Sequence, residues 1–247
     1  RGLGDVYKRQ GERLSFLQQD HFKYDEYPVL DTVMMGNARL FEIMKEKDAI
    51  YAKEDFSDED GIRASELEAE FAQMNGWEAD SDAASLLNGL GIETDLHYKK
   101  MGELDGPDKV KVLLARALFG NPDILLMDEP TNHLDIESIQ WLESFLSTRA
   151  NAVVLVSHDR AFIDNVTTRT IEISLGRIYD YQVNYSRYVV LRQERLEQQM
   201  RAYENQQKQI QDTEAFIERF RYKATKSVQV QSRIKQLAKL ERVEVDE

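Results

Sequence analysis

The 247-residue chain contains no cysteine. Disulfides, thiolate metal ligands and thiol redox chemistry are therefore excluded, which fits a cytoplasmic setting. No apolar run approaches the roughly 18 residues that a membrane-spanning helix needs, so no membrane partner is expected. The longest candidates, Ile124–Met127 and Ala152–Val156, have the length of core strands. The start is charged and lacks the apolar segment of a secretory signal. Nowhere does Gly-x-x-x-x-Gly-Lys-Ser/Thr occur, so the backbone cradle and lysine with which such a loop holds nucleotide phosphates are missing. Positive charge is also scarce. The formal net charge of -13 argues against a generic nucleic-acid binder. The deficit is uneven: residues 1–186 carry 19 basic and 35 acidic side chains, whereas residues 187–247 carry 13 basic and 10 acidic. The acidity belongs to the first part, and the basic tail reads as a separate device.

What is present organises around Asn121-Pro-Asp-Ile-Leu-Leu-Met-Asp-Glu-Pro-Thr-Asn-His-Leu-Asp135. Ile124–Met127 reads as a strand of a parallel sheet, buried on both faces. Asp128 and Glu129 end it and Pro130 stops it. Open α/β sheets bind ligands at the carboxyl ends of their strands, and two acids delivered there suit a magnesium–phosphate site. Asp128 would hold the ion, directly or through water, and Glu129 would orient the attacking water.

Leu125-Leu-Met-Asp-Glu-Pro-Thr-Asn-His-Leu-Asp135 resembles the Walker B and D-loop segment of ABC ATPases. Its Thr-Asn-His-Leu-Asp form is similar to the ABC-F family, ribosome-acting proteins with two ATPase domains in one chain. The resemblance implies an α/β fold: a P-loop ABC-type ATPase domain, incomplete because Walker A is absent, followed by an antiparallel helical hairpin. It also implies ATP and Mg2+ as cofactors, and as partners the ribosome, tRNA and a second ATPase domain of the same parent chain.

Five segments follow from this. Residues 1–10 (RGLGDVYKRQ) show no clear periodicity and no resemblance to the family at this place, and are expected to be foreign to the fold. Residues 11–35 hold a strand, Arg13–Leu17, and then Gln18-Gln19-Asp20; Gln19 stands where the family's Q-loop glutamine ligates magnesium or positions water. Asp31 or Thr32 would cap a helix over residues 31–51, with Val33, Leu40, Phe41 and Met44 on one face. Residues 36–98 form a helical, acidic insertion similar to the ABC-F arm, with 14 acids against 4 bases between Glu42 and Asp82. Its further helices are expected over 62–75, with Ile62, Leu67, Phe71 and Met74 inward, and over 82–90. Such a surface suits solvent or a basic ribosomal protein rather than RNA.

Residues 99–186 carry the remaining ATPase motifs. Leu104-Asp105-Gly106-Pro107-Asp108 stands where the family has its signature loop, Leu-Ser-Gly-Gly-Gln or -Glu. There a helix N-terminus points its N–H groups at a γ-phosphate across a dimer interface. Asp105 replaces a hydroxyl with a carboxylate, Pro107 deletes a donor and Asp108 adds charge. This half-site is expected to hold nucleotide and to promote hydrolysis poorly. Asp135 would organise the facing domain and open a helix with Ile136, Ile139, Leu142 and Leu146 inward. After a second buried strand, Ala152–Val156, His158 resembles the H-loop histidine that contacts the γ-phosphate. Thr170–Ser174 and Arg177–Tyr181 read as a hairpin around Gly176.

Residues 187–247 read as the linker. Val189, Leu196, Tyr203, Ile210 and Ile217 recur every seven residues, a seam for one partner helix, and Val230, Ile234 and Leu237 face back from a return helix. Around the turn, Arg219, Arg221, Lys223 and Lys226 stand with two aromatics and no acid. Bases of this kind bind phosphate and aromatics stack on nucleobases; by resemblance this tip contacts tRNA. Without Walker A, and ending in the linker, the chain is expected to be a piece of an ATPase that neither holds ATP tightly nor turns over alone. A membrane ABC transporter subunit is the competing class, and a non-hydrolysing, ATP-clamped scaffold a third.

Overall fold

The computed structural model describes residues 12–18, 20 and 22–245. The apolar run at Ile124 forms strand β2 (Ile124–Asp128), central in a parallel sheet of order β1-β2-β3 with β1 (Leu14–Phe16) and β3 (Ala152–Val156). The register sets Phe16 beside Leu126, Leu126 beside Val154, and Asp128 beside Val156. Side chains alternate between faces. Leu125 and Met127 are buried, but on the other face Phe16, Val154 and Val156 are 53%, 57% and 61% exposed. The expectation that Ile124–Met127 and Ala152–Val156 are covered on both faces is therefore corrected. Among the described residues nothing covers the face carrying Phe16, Val154 and Val156.

The buried side of the first unit, residues 1–162, centres on α5 (Gly106–Leu118). Val112, Leu113, Leu114, Ala115, Ala117 and Leu118 are all inside, each large side chain contributing roughly 1.5–3 kcal/mol by leaving water. The single helix expected over 31–51 is instead two, α1 (Val29–Met34) and α2 (Ala38–Tyr51). The break falls at Gly36, where a Cβ would lie 2.0 Å from the Arg116 carbonyl oxygen. Asn37 then caps α2, its side chain accepting from the Leu40 N–H. Neither Asp31 nor Thr32 caps α1, which begins after Pro28; the Thr32 hydroxyl donates to the Pro28 carbonyl at 2.9 Å.

In the acidic insertion, α3 (Asp58–Gln73) starts earlier than expected because Ser57 and Asp60 form a reciprocal capping box. Leu67 and Phe71 are buried, whereas Ile62 is 64% exposed, one turn too near the helix start to reach the core. Lys47 of α2 is buried, pairs with Glu68 at 2.7 Å and lies over the Phe71 ring at 3.9 Å. Next come α4 (Ala79–Gly89) and, beyond β2, α6 (Ile136–Arg149). Leu142 and Leu146 of α6 are buried and Ile139 is half-buried, but Ile136, in its first turn, is 74% exposed. The following helix, α7 (Arg160–Val166), carries the chain into the second unit.

That unit, residues 163–247, opens with β4 (Thr170–Ser174) and β5 (Arg177–Tyr181), antiparallel and joined by Leu175-Gly176. Both loop residues have positive φ, 48° and 72°, as a two-residue hairpin turn of the twist-matching kind requires. The long helix α8 (Tyr185–Phe220) and its return α9 (Ser227–Lys239) follow. Glu172 of β4 pairs with both Arg192 and Arg195 of α8, at 2.8 and 2.9 Å, and Arg195 lies over the Tyr179 ring at 3.6 Å. The heptad seam is only half covered. No residue of α8 is buried, Tyr203 is 38% and Ile234 41% exposed, and Val230 alone is buried on α9. A return of 13 residues shields only part of a helix of 36. Beyond α9, the Gln206 amide donates to the Glu241 carbonyl (2.8 Å) and accepts from the Val243 N–H (2.9 Å), holding that strand of chain against α8.

Candidate nucleotide site

The β2–β3 pairing sets the exits of two strands side by side. One step beyond Asp128, the Glu129 N–H donates to the Val156 carbonyl at 2.8 Å. The backbone of Glu129 is left-handed, with φ 47°, a conformation that costs on the order of 1–3 kcal/mol and collects at functional sites. Its carboxylate is then within reach of the neighbouring exit. The His158 N–H donates to Glu129 Oε2 at 3.2 Å, and His158 Nε2 lies 3.6 Å from Glu129 Oε1. The Glu129 side chain is 22% exposed and that of His158 98%. A carboxylate aligned by a main-chain donor beside a freely exposed imidazole can orient a water and contact an anion.

Asp128 is exposed and lines an open cavity of about 480 Å³ with Phe16, Leu17, Gln18, Asp20 and Lys23. Gln19 lies outside the described residues. No group of three His, Asp or Glu side chains among the described residues could hold a metal by itself. Magnesium nevertheless needs only one or two carboxylates beside phosphate oxygens and water, and the oxygen donors around Asp128 fit that ion.

The predicted signature loop is already engaged with itself. Leu104 is buried and anchors it. Asp105 is the N-cap of α5, its carboxylate accepting from the Asp108 N–H at 2.9 Å. Burial, and then the charge of Asp105, holds the Asp108 carboxyl above the usual range. A helix start offers several N–H groups to an anion. Here Pro107 has none, the Asp108 N–H serves Asp105 and the Lys109 N–H bonds the Asp105 carbonyl, which leaves Gly106.

Asp135 is likewise a cap. Its Oδ1 accepts from the Ser138 N–H at the start of α6 (2.8 Å), and Lys111 donates to its Oδ2 (3.2 Å). The Ser138 hydrogen bonds first, and then Lys111, bring its carboxyl down to about 2. Sequence reasoning missed Lys111 and Lys109, both buried on α5; Lys109 pairs with Asp25 at 2.7 Å. The available signal was Lys109 immediately before, and Lys111 inside, the stretch Val110 to Leu118, which is otherwise apolar except for Arg116.

In the second unit, Arg219, Arg221 and Lys223 are exposed and Lys226 is half-buried. Arg219 and Lys223 flank the Phe220 ring at 5.5 and 5.4 Å, and Tyr222 is 91% exposed. The structure thus brings Asp128, Glu129 and His158 together at the carboxyl ends of β2 and β3, and gathers the four bases at a hairpin tip. Among the described residues no helix is long and apolar enough to cross a membrane.

A family model described as ABC transporter matches residues 5–132, and an extension model with the same description matches residues 171–247. The uncharacterized ABC transporter ATP-binding protein YkpA of Bacillus subtilis (strain 168) is 54% identical over 237 residues, 96% of this chain and 44% of its own length. The probable ATP-binding protein YbiT of Escherichia coli O157:H7 is 40% identical over 243 residues, 98% of this chain and 46% of its own. Human ATP-binding cassette sub-family F member 3 is 36% identical over 219 residues, 87% of this chain and 31% of its own. The chain spans less than half the length of these relatives.

Proposed function

We propose that this chain, which belongs to the ABC transporter family of ATP-binding proteins, is part of an ABC-F type ATPase that acts on the ribosome in translation. The observation that carries the reading is the joining, in one chain, of the Glu129–His158 strand-exit site to a helical hairpin tipped by Arg219, Arg221, Lys223 and Lys226. The similarity to a sub-family F protein supports it.

In this reading ATP binds between the domain described here and a second ATPase domain, and their closure drives the hairpin toward tRNA. Glu129 orients the attacking water, and its fixed carboxylate accepts the proton as the water oxygen bonds to the γ-phosphorus and the bond to the β,γ-bridging oxygen breaks, leaving ADP and phosphate. His158, free in solvent, contacts that phosphate. Asp128 and Gln19 are the residues that would hold Mg2+, which when bound offsets phosphate charge. Asp135 shapes the segment facing the second domain. The setting is cytoplasmic.

The test is ribosome co-sedimentation of the full-length protein carrying Glu129→Gln and its counterpart in the second domain, with and without ATP. ATP-dependent pelleting supports the translation reading. Intact ATP binding without pelleting sinks it and restores the transporter reading. One observation favours a variant of the proposal, an ATP-clamped scaffold that hydrolyses little: the Asp105 carboxylate occupies the helix start where a phosphate would sit. Phosphate release by the full-length protein decides between them.

A further inference from the structure

Both oxygens of the Asp135 carboxylate have partners inside their own domain. Oδ1 takes the Ser138 N–H, and Oδ2 takes the ammonium of Lys111. Ser138 is itself 2% exposed while the Asp135 side chain is 57% exposed, so the cap sits at the margin of the core, anchored to it through Ser138 and Lys111. The Lys111 side chain is only 10% exposed. A buried ammonium left without a counter-charge is strongly unfavourable, so this pairing holds the loop as firmly as it holds the lysine. The turn after α4 closes on the same point. A Cβ at Gly91, whose φ is +77°, would lie 3.5 Å from Lys111 Nζ, 3.4 Å from Ser138 Oγ and 3.7 Å from Asp135 Oδ2. Three segments meet there, and Lys111 is the cation among them.

We propose that Lys111 is a positioning residue: it fixes the segment Thr131–Asp135 to α5, so that the signature loop and the Asp135 loop move as one piece. Asp105, the cap of α5, lies six positions before Lys111 on the same rigid helix, about 9 Å away at 1.5 Å per residue. A displacement of the helix start by a nucleotide is therefore passed to the Asp135 loop without an intervening flexible joint. The consequence for catalysis rests on the ATPase reading above; the mechanical link does not.

The experiment is hydrogen exchange by mass spectrometry on the full-length protein, comparing wild type, Lys111→Met, Lys111→Arg and Lys47→Met. Lys47 is a matched control, equally buried and ion-paired but set in the acidic insertion. Lys111→Met is expected to speed exchange across residues 131–139 about tenfold, Lys111→Arg to stay close to wild type, and Lys47→Met to affect only α2 and α3. Unchanged exchange over 131–139 in Lys111→Met, or the same acceleration there in Lys47→Met, overturns the proposal. Should Lys111→Met fail to fold, Asp135→Asn keeps the cap oxygen, removes the charge facing Lys111, and is held to the same standard. In ATP turnover, Lys111→Met lowers kcat with KM unchanged and Lys111→Arg restores it. Equal kcat in wild type and Lys111→Met refutes the coupling to chemistry. A wild type without turnover refutes the ATPase reading instead, and the exchange result still decides the link.

Discussion

Asp105 and Asp108 are tied by one hydrogen bond, from the main-chain N–H of the second to the carboxylate of the first at 2.9 Å, and the charge of the first helps lift the carboxyl of the second. Serine caps a helix as well as aspartate does but brings no charge. Asp105→Ser in the full-length protein should leave thermal stability unchanged and tighten binding of a non-hydrolysable ATP analogue by about tenfold, the equivalent of roughly 1.4 kcal/mol. Asp105→Ala removes the cap and should cost about 1 kcal/mol of stability. Calorimetric titration of the serine variant checks the first point; unchanged affinity would place the carboxylate away from the phosphate.

Asp135 sets a pH dependence. Its carboxyl is brought down to about 2 from an ordinary 3.8, chiefly by the Ser138 hydrogen bonds and then by Lys111. A depressed acid contributes stability that is full above its unfolded value and is lost as pH falls through the folded one. The start of α6 should therefore loosen between pH 3.8 and about 2. Asp135→Asn should flatten that part of the unfolding curve while retaining the cap. Acid unfolding followed by tryptophan fluorescence reads it through Trp141 on α6, against the background of Trp77.

Gly89 at the end of α4 faces the indole of Trp141, with a Cβ there only 2.0 Å from the ring. In an open helix Gly→Ala stabilises by up to about 1 kcal/mol. Here the ring must move, and overpacking typically costs about 1–3 kcal/mol. Gly89→Ala should lower the melting temperature, while Gly89→Ala with Trp141→Leu should recover most of the loss.

The hairpin tip makes a salt-dependent claim. If Arg221 and Lys223 meet RNA phosphates, changing both to Glu should weaken RNA binding to the full-length protein regardless of sequence. The slope of log affinity against log salt should shrink by about 0.7–0.9 for each lost contact. An unchanged slope would assign these side chains to solvent.

Much of this was readable before the structure. The Ile124–Asp128 strand, the strand–helix–strand order and the β4–β5 turn rest on local chemistry: short apolar runs, caps and Gly176. The nearness of Glu129 and His158 followed because parallel neighbours place their exits side by side. Other features were settled by distant contacts. The break at Gly36-Asn37 carries a local mark, the Asn37 cap, but the close approach of the Arg116 carbonyl that requires glycine there comes from 80 positions away and has no local signal. Lys111 looked like a surface residue by type, since only its partner Asp135 makes its burial tolerable. Ile62, Ile136 and Ile234 obey helical spacing yet stand in water, because periodicity names a face without telling how far the neighbouring element extends.

The bare side of the sheet has a practical consequence at the bench. Phe16, Val154 and Val156 form a flat apolar strip on strands whose ladder is three wide among the described residues. Strips of this kind drive association and precipitation. These 247 residues purified by themselves should cling to resin, scatter light increasingly with concentration, and clear when Val154 and Val156 are changed to Thr.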